Sequence, residues 1–173
     1  QLKEVTAAAG LQNSNGWWNR IAIADIDGDG YPDIAAGNHG LNSRFKASAA
    51  KPVSMYVSDF DENGSSEQVI TCYNGDSSYP MALRHDLVAV LPYLKKKYLK
   101  YESYKEQTIE DIFSKDQLSK AVKLEAKEMR SSVMMNNRNG TFTMKALPVE
   151  AQFSTVFGLS VNDYDGDGKQ DIL

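Results

Sequence analysis

Short apolar runs separated by acidic turns mark the beginning, the first half and the end of the chain. Ile21–Ala24 and Ile34–Gly37 flank one polar stretch, Met55–Val57 and Val69–Tyr73 flank a second, and Val156–Val161 and Ile172–Leu173 flank a third. Runs this short, rich in β-branched and aromatic residues, predict strands buried on both faces, each pair forming a hairpin. A fourth hairpin is predicted from Ser132–Asn136 and Thr141–Lys145 around the turn Asn137–Gly140. Residues 84 to about 130 predict helices instead. One runs from Arg84 to Leu99 with a break at Pro92, another starts at Thr108, and Ser114 with Gln117 forms a capping box. The fold class expected is all-β with a helical insertion at 84–130.

An internal repeat supports that organisation. A shift of 138 residues lays Asp25 on Asp163, Ile23 on Val161, Ile21 on Leu159 and Leu11 on Val149. In this alignment the Ser132–Lys145 hairpin opens the later copy, and the earlier copy lacks its first strand, Gln1 falling where its second begins. The polar stretches start 34 and then 104 residues apart, which places the insertion after the second. As its contacts are local, the insertion is expected to be separable from the strands around it.

Charge narrows the chemistry. Among 173 residues, 19 Lys and Arg face 23 Asp and Glu, a net charge of −4, the wrong sign for affinity built on phosphate contacts, so no nucleic-acid partner is expected. The apolar stretch Asp86–Leu94 is far too short to span a membrane. One cysteine and two histidines exclude an internal disulfide and a thiolate or imidazole zinc site; Cys72 reads as a small buried residue on a strand. Twelve of the 23 acidic residues lie in three windows of nine, residues 25–33, 59–67 and 163–171.

The three windows superimpose. Positions 1, 3, 5 and 9 carry side-chain oxygens: Asp25, Asp27, Asp29 and Asp33 in the first, Asp59, Asp61, Asn63 and Glu67 in the second, Asp163, Asp165, Asp167 and Asp171 in the third. Position 6 is always glycine, and position 7 (Tyr31, Ser65, Lys169) varies because its main-chain carbonyl would be the ligand. A hard cation such as Ca²⁺ takes six to eight oxygens at about 2.3–2.6 Å, so the chain must curl around it. A lone Asp-Gly turn is ordinarily a solvated hairpin turn, but three copies in register, two of them crowding four carboxylates together, point to a cation. An EF-hand is excluded, since it needs Glu at position 12, where Ala36 and Ile70 stand, and helices on both sides.

On these residues the chain resembles the FG-GAP or VCBS-type repeats of integrin α-like β-propellers. Residues 25–33 and 163–171 match the family's calcium hairpin position by position, and Phe157-Gly158 stands at the Phe-Gly of the name, whose Gly-Ala-Pro half is missing. Gly16–Asn19, Gly37–Asn42 and Ala151–Ser154 resemble segments recurring around these loops in bacterial VCBS-repeat proteins. The resemblance implies a partial β-propeller, about two blades plus a hairpin, with calcium-binding loops. It also implies an extracellular or cell-envelope setting and an adhesion or ligand-binding role toward a protein or glycan.

An enzymatic alternative is a calcium-dependent propeller acting on acidic polysaccharide as a lyase. The chain has no nucleophile elbow, no His-Glu-x-x-His, and no carboxylate pair distinct from the candidate ligands, so the expectation is a non-enzyme. Lys95–Lys97 and Lys100 with Tyr93, Tyr98, Tyr101 and Tyr104 admit a basic, aromatic binding face; the plainer reading is a solvated pair of amphipathic helices. Of Trp17 and Trp18, one is assigned to packing and the other left open, and Arg84-His85-Asp86 reads as a helix start. The sequons at Asn63 and Asn139 read as a ligand and a tight-turn residue. The chain is expected to be a fragment of a larger propeller whose open strand edges lead to self-association, with the third loop the weakest site.

Overall fold

The computed structural model describes residues 3–173, and Gln1, with the expectation attached to it, lies outside them. The chain folds as two units, one running to Phe45 and resuming at Lys127–Leu173, the other Lys46–Ala126. Both are mostly β, and every ladder between named strands is antiparallel.

In the first unit, strands β1 (Arg20–Ala24) and β2 (Asp33–Gly37) enclose the first acidic loop. The second unit supplies β3 (Val53–Ser58) and β4 (Glu67–Asn74) around the second loop, then β5 (Ser77–Pro80). Helices α1 (Arg84–Val90), α2 (Leu94–Lys97), α3 (Ile109–Ile112) and α4 (Lys115–Lys120) follow, and β6 (Val122–Ala126) returns beside β3, giving the order β5-β4-β3-β6. The expected helical stretch 84–130 therefore ends in a strand. Back in the first unit, β7 (Ser132–Asn136) and β8 (Phe142–Ala146) form the predicted fourth hairpin, and β9 (Val161–Asn162) and β10 (Asp171–Ile172) flank the third loop.

The fourth hairpin does not open the later copy. β7 pairs with β2, Ile34 opposite Met134 and Ala36 opposite Ser132, so the sheet runs β1-β2-β7-β8, while β9 and β10 form a separate two-stranded sheet. The hairpin thus completes the sheet begun by the first loop, whose strands are parted in sequence by the whole second unit. A 138-residue shift detects like residues but not which strand a hairpin docks on, a matter of non-local pairing. β2 lies inside the sheet, and Ala35 and Ala36 are buried at 0% and 1% exposure. β1 lies at its edge with Ile21 and Ile23 at 59% and 65%, against the expectation of burial on both faces.

The segments implied by resemblance form a polar core in this unit. Buried Asn38 donates its side-chain amide to the Glu128 carbonyl at 2.9 Å and its main-chain N–H to Ser131 Oγ at 3.0 Å. Buried Gln152 pairs with both main-chain groups of Ser131. Gly40 sits at φ +82°, where a Cβ would lie 2.8 Å from the carbonyl oxygens of Gln152 and Ser154, so no larger residue fits. Trp17 stands edge-on to His39 and Phe45, with ring centroids 5.0 and 4.8 Å away. Trp18 donates its indole N–H to the Ser14 carbonyl at 2.7 Å.

In the second unit the helices and the sheet share one core. Phe60 and Val69 pack with Leu87, Leu91, Leu94, Tyr98, Ile109, Ile112 and Phe113, and Phe60 stacks on Phe113 at 4.1 Å. Helices of four to seven residues are not stable alone in water, so tertiary burial holds them, aided by the predicted Ser114–Gln117 capping box. The expectation of a separable insertion fails on this shared core. The basic and aromatic residues of this stretch are divided: Tyr98 is buried, Tyr104 donates its hydroxyl to the Ala82 carbonyl and Lys97 donates to the Asp111 carbonyl, while Tyr93 and Tyr101 are exposed. Burial, with Tyr98 and Asp86 nearby, pushes the Tyr104 hydroxyl up to about 12. Cys72 is buried on β4 as expected.

Candidate metal centre

The three loops repeat one hydrogen-bond scaffold. The position 1 carboxylate takes the N–H groups of positions 5 and 6: Asp25 from Asp29 and Gly30 at 2.9 and 2.8 Å, Asp59 from Asn63 and Gly64 at 3.0 and 2.7 Å, Asp163 from Asp167 and Gly168 at 3.1 and 2.9 Å. Position 5 takes the N–H of position 7, so Tyr31, Ser65 and Lys169 each donate at 2.8 Å to Asp29, Asn63 and Asp167. The position 9 carboxylate closes the ring by accepting the position 2 N–H: Asp33 from Ile26, Glu67 from Phe60, Asp171 from Tyr164. Position 6 has φ of +87°, +90° and +84°, which glycine adopts freely. Position 4 is left-handed too, a requirement the sequence reading missed: Gly28 at +76°, Gly166 at +78°, but Glu62 at +58°.

This scaffold turns carboxylates inward. Oxygens of Asp25, Asp27 and Asp29 lie within 4.8 Å of one another, as do those of Asp59, Asp61 and Glu67, and of Asp163, Asp165 and Asp171. Two oxygens bound across one Ca²⁺ are about 5 Å apart, so the spacing suits a shared hard cation. The sets differ at one corner. In the first loop Asp33 is buried and outside the cluster, its second oxygen accepting the Asn136 N–H at 2.7 Å, which ties the loop to β7. In the third loop Asp167 is outside the cluster.

The second loop carries the sharpest sign of a missing partner. Among the described residues, the buried side-chain atoms without a hydrogen-bond partner are Asp61 Oδ1 and Thr71 Oγ1. A dry, unpaired carboxylate oxygen costs free energy unless a cation or donor meets it. Asp27 and Asp165, its counterparts, each accept the N–H two residues on. The second loop is also the best anchored, since Phe60 lies in the core and Gln117 Nε2 donates to the Phe60 carbonyl at 2.8 Å. Ile26 is only half-buried, and Tyr164 is exposed at 48%.

Sequence reasoning also missed Arg138, at the tip of the β7–β8 turn. Its Nε donates to Asp29 Oδ2 at 2.6 Å, and its guanidinium lies 5.6 Å from the Tyr31 ring centroid. The Arg138 hydrogen bond, with the Tyr31 N–H, holds the Asp29 carboxyl below its usual range.

Acidic hairpins on antiparallel sheets thus define a mostly β protein with candidate cation loops. The family model of the FG-GAP repeat matches residues 17–49, which span β1, the first loop, β2 and the Gly37–Asn42 segment, so the chain carries an FG-GAP-type repeat there. No curated protein and no solved structure matches the chain. The second and third loops lie outside the match and are tied to the first by their shared scaffold. No helix among the described residues is long and apolar enough to cross a membrane.

Proposed function

We propose that the chain is a calcium-binding segment of an FG-GAP-type β-propeller, its four-stranded sheets serving as blades. It works as a rigid ligand-binding or adhesion scaffold of an extracellular or cell-envelope protein rather than as a catalyst. The observation that carries this reading is the dry, unpaired Asp61 Oδ1 within a hydrogen-bond scaffold that three loops share. The side-chain oxygens at positions 1, 3, 5 and 9 and the position 7 carbonyls are the proposed ligands, and the cation supplies the charge that lets each loop keep its shape. Loop sites of extracellular modules bind Ca²⁺ at about 10⁻⁴–10⁻³ M, which suits an exterior setting. The partner class proposed is a protein or a glycan.

Calorimetry with Ca²⁺ tests the reading. Heat of binding is expected, and Asp61→Ala removes the second-loop component. A ligand that binds only the folded chain stabilises it by about 2.7 kcal/mol at a hundredfold excess over Kd, so calcium raises the melting temperature and EDTA reverses the rise. Absence of heat together with melting indifferent to EDTA would sink the proposal.

A further inference from the structure

At position 5 the three loops carry Asp29, Asn63 and Asp167, and the charge beside that position differs in each. In the first loop Asp29 meets Arg138 at 2.6 Å. In the second the residue is Asn63, which has no charge to balance. In the third Asp167 faces its own neighbour Lys169 at 3.8 Å, a lysine 82% exposed. The ligand positions hold four, three and four carboxylates; Arg138 pairs with Asp29 in the first loop, Lys169 lies near Asp167 in the third, and Lys120 lines the same cavity as Asp59 and Asp61 of the second.

Arg138 is held in place for this task. Its backbone sits at φ +63°, its N–H donates to Asn136 Oδ1 at 2.9 Å, and its guanidinium lies against Tyr31, the position 7 residue of the same loop. It reaches Asp29 across 109 residues of sequence through the pairing of β7 with β2.

We propose that Arg138 sets the cation affinity of the first loop through position 5, as a built-in competitor which holds the loop together without a cation and weakens its hold on one. The inference rests on calcium being the loops' ligand. A cation binding Asp29 meets a carboxylate whose charge the guanidinium already partly neutralises, so part of the Coulomb gain is lost whether Arg138 stays or leaves. Asp29 Oδ1 accepts the Tyr31 N–H and Oδ2 the Arg138 Nε–H, so whichever oxygen meets the cation belongs to a carboxylate already paired with the guanidinium.

The test compares wild type, Arg138→Gln and Arg138→Lys in a chain whose second and third loops are silenced by Asp61→Asn and Asp165→Asn, titrated with Ca²⁺ at neutral pH. Exposed ion pairs contribute about 0.2–1 kcal/mol, so Arg138→Gln is expected to tighten first-loop binding up to about fivefold, with Arg138→Lys in between. The same substitution lowers the melting temperature in EDTA, because the clustered carboxylates lose their counter-charge, and enlarges the rise that calcium produces. A merely structural ion pair gives the first effect without the second. Should the silenced chain not fold, the intact chain melted with and without calcium decides the matter through the size of that rise. Equal or weaker binding, or an unchanged rise, overturns the role of Arg138 and leaves calcium binding standing. No calcium heat in the wild type overturns both.

Discussion

Glu62 holds a left-handed backbone at φ +58°, where the other two loops have glycine. An L-residue there costs roughly 1–2 kcal/mol, which the greater chain entropy of glycine when unfolded partly offsets. Glu62→Gly is therefore expected to raise the stability of the second unit by about 0.5–1 kcal/mol. Gly28→Ala should lower that of the first by about 1 kcal/mol. Urea midpoints measured in EDTA check both, and a loss of stability in Glu62→Gly would show that the glutamate side chain has a partner worth more than the strain. The contrast between these positions also shows what a sequence exposes at this scale. The alternation of Asp25, Asp27 and Asp29 is local, as are the position 6 glycines, and both were legible. Arg138 was not, because it reaches Asp29 only through the pairing of β2 with β7, strands about a hundred residues apart in sequence.

At the scale of elements, the second unit is organised by Phe60. This residue fills position 2 of its loop and stacks on Phe113 within a core built from α1, α2 and α3, with Leu118 of α4 packed against it. Truncating a buried aromatic costs about 3–5 kcal/mol. Phe60→Ala should therefore unfold or loosen this unit and take the second-loop cation site with it, while calorimetry still registers the first and third loops. If the second-loop heat survived at full strength, the anchor would be irrelevant to the site. Replacing 86–128 by a Gly/Ser linker removes both the helical half of that core and β6, so it should abolish the unit's cooperative melting. Strand positions were legible here because the runs around each loop are short and apolar, and the helix breaks because Pro92 and the Ser114 cap act locally. The helices' docking on Phe60 was hidden, since a position 2 aromatic reads alike in a buried loop and an exposed one. Tyr164 fills the same position at 48% exposure.

For the molecule as a whole, strand edges matter more than any single site. β1 closes one side of the first sheet with Ile21 and Ile23 at 59% and 65% exposure, and β6 closes one side of the other with Val122 and Leu124 at 60% and 51%. An apolar edge strand offers main-chain donors and acceptors together with side chains that gain by leaving water, the combination that recruits another strand. Charge acts on the same contacts. With eleven ligand carboxylates among the three loops, filling them with three Ca²⁺ ions moves the net charge from −4 to +2, which reduces repulsion between copies. The chain should therefore self-associate through these edges, more strongly with calcium than in EDTA, and Ile23→Lys should weaken the association without altering calcium heat. Light scattering after size exclusion measures this directly over a concentration series. A monomer under all conditions, with Ile23→Lys indistinguishable from wild type, would mean that the exposed edges are too short or too twisted to pair, and that any binding role lies on another surface.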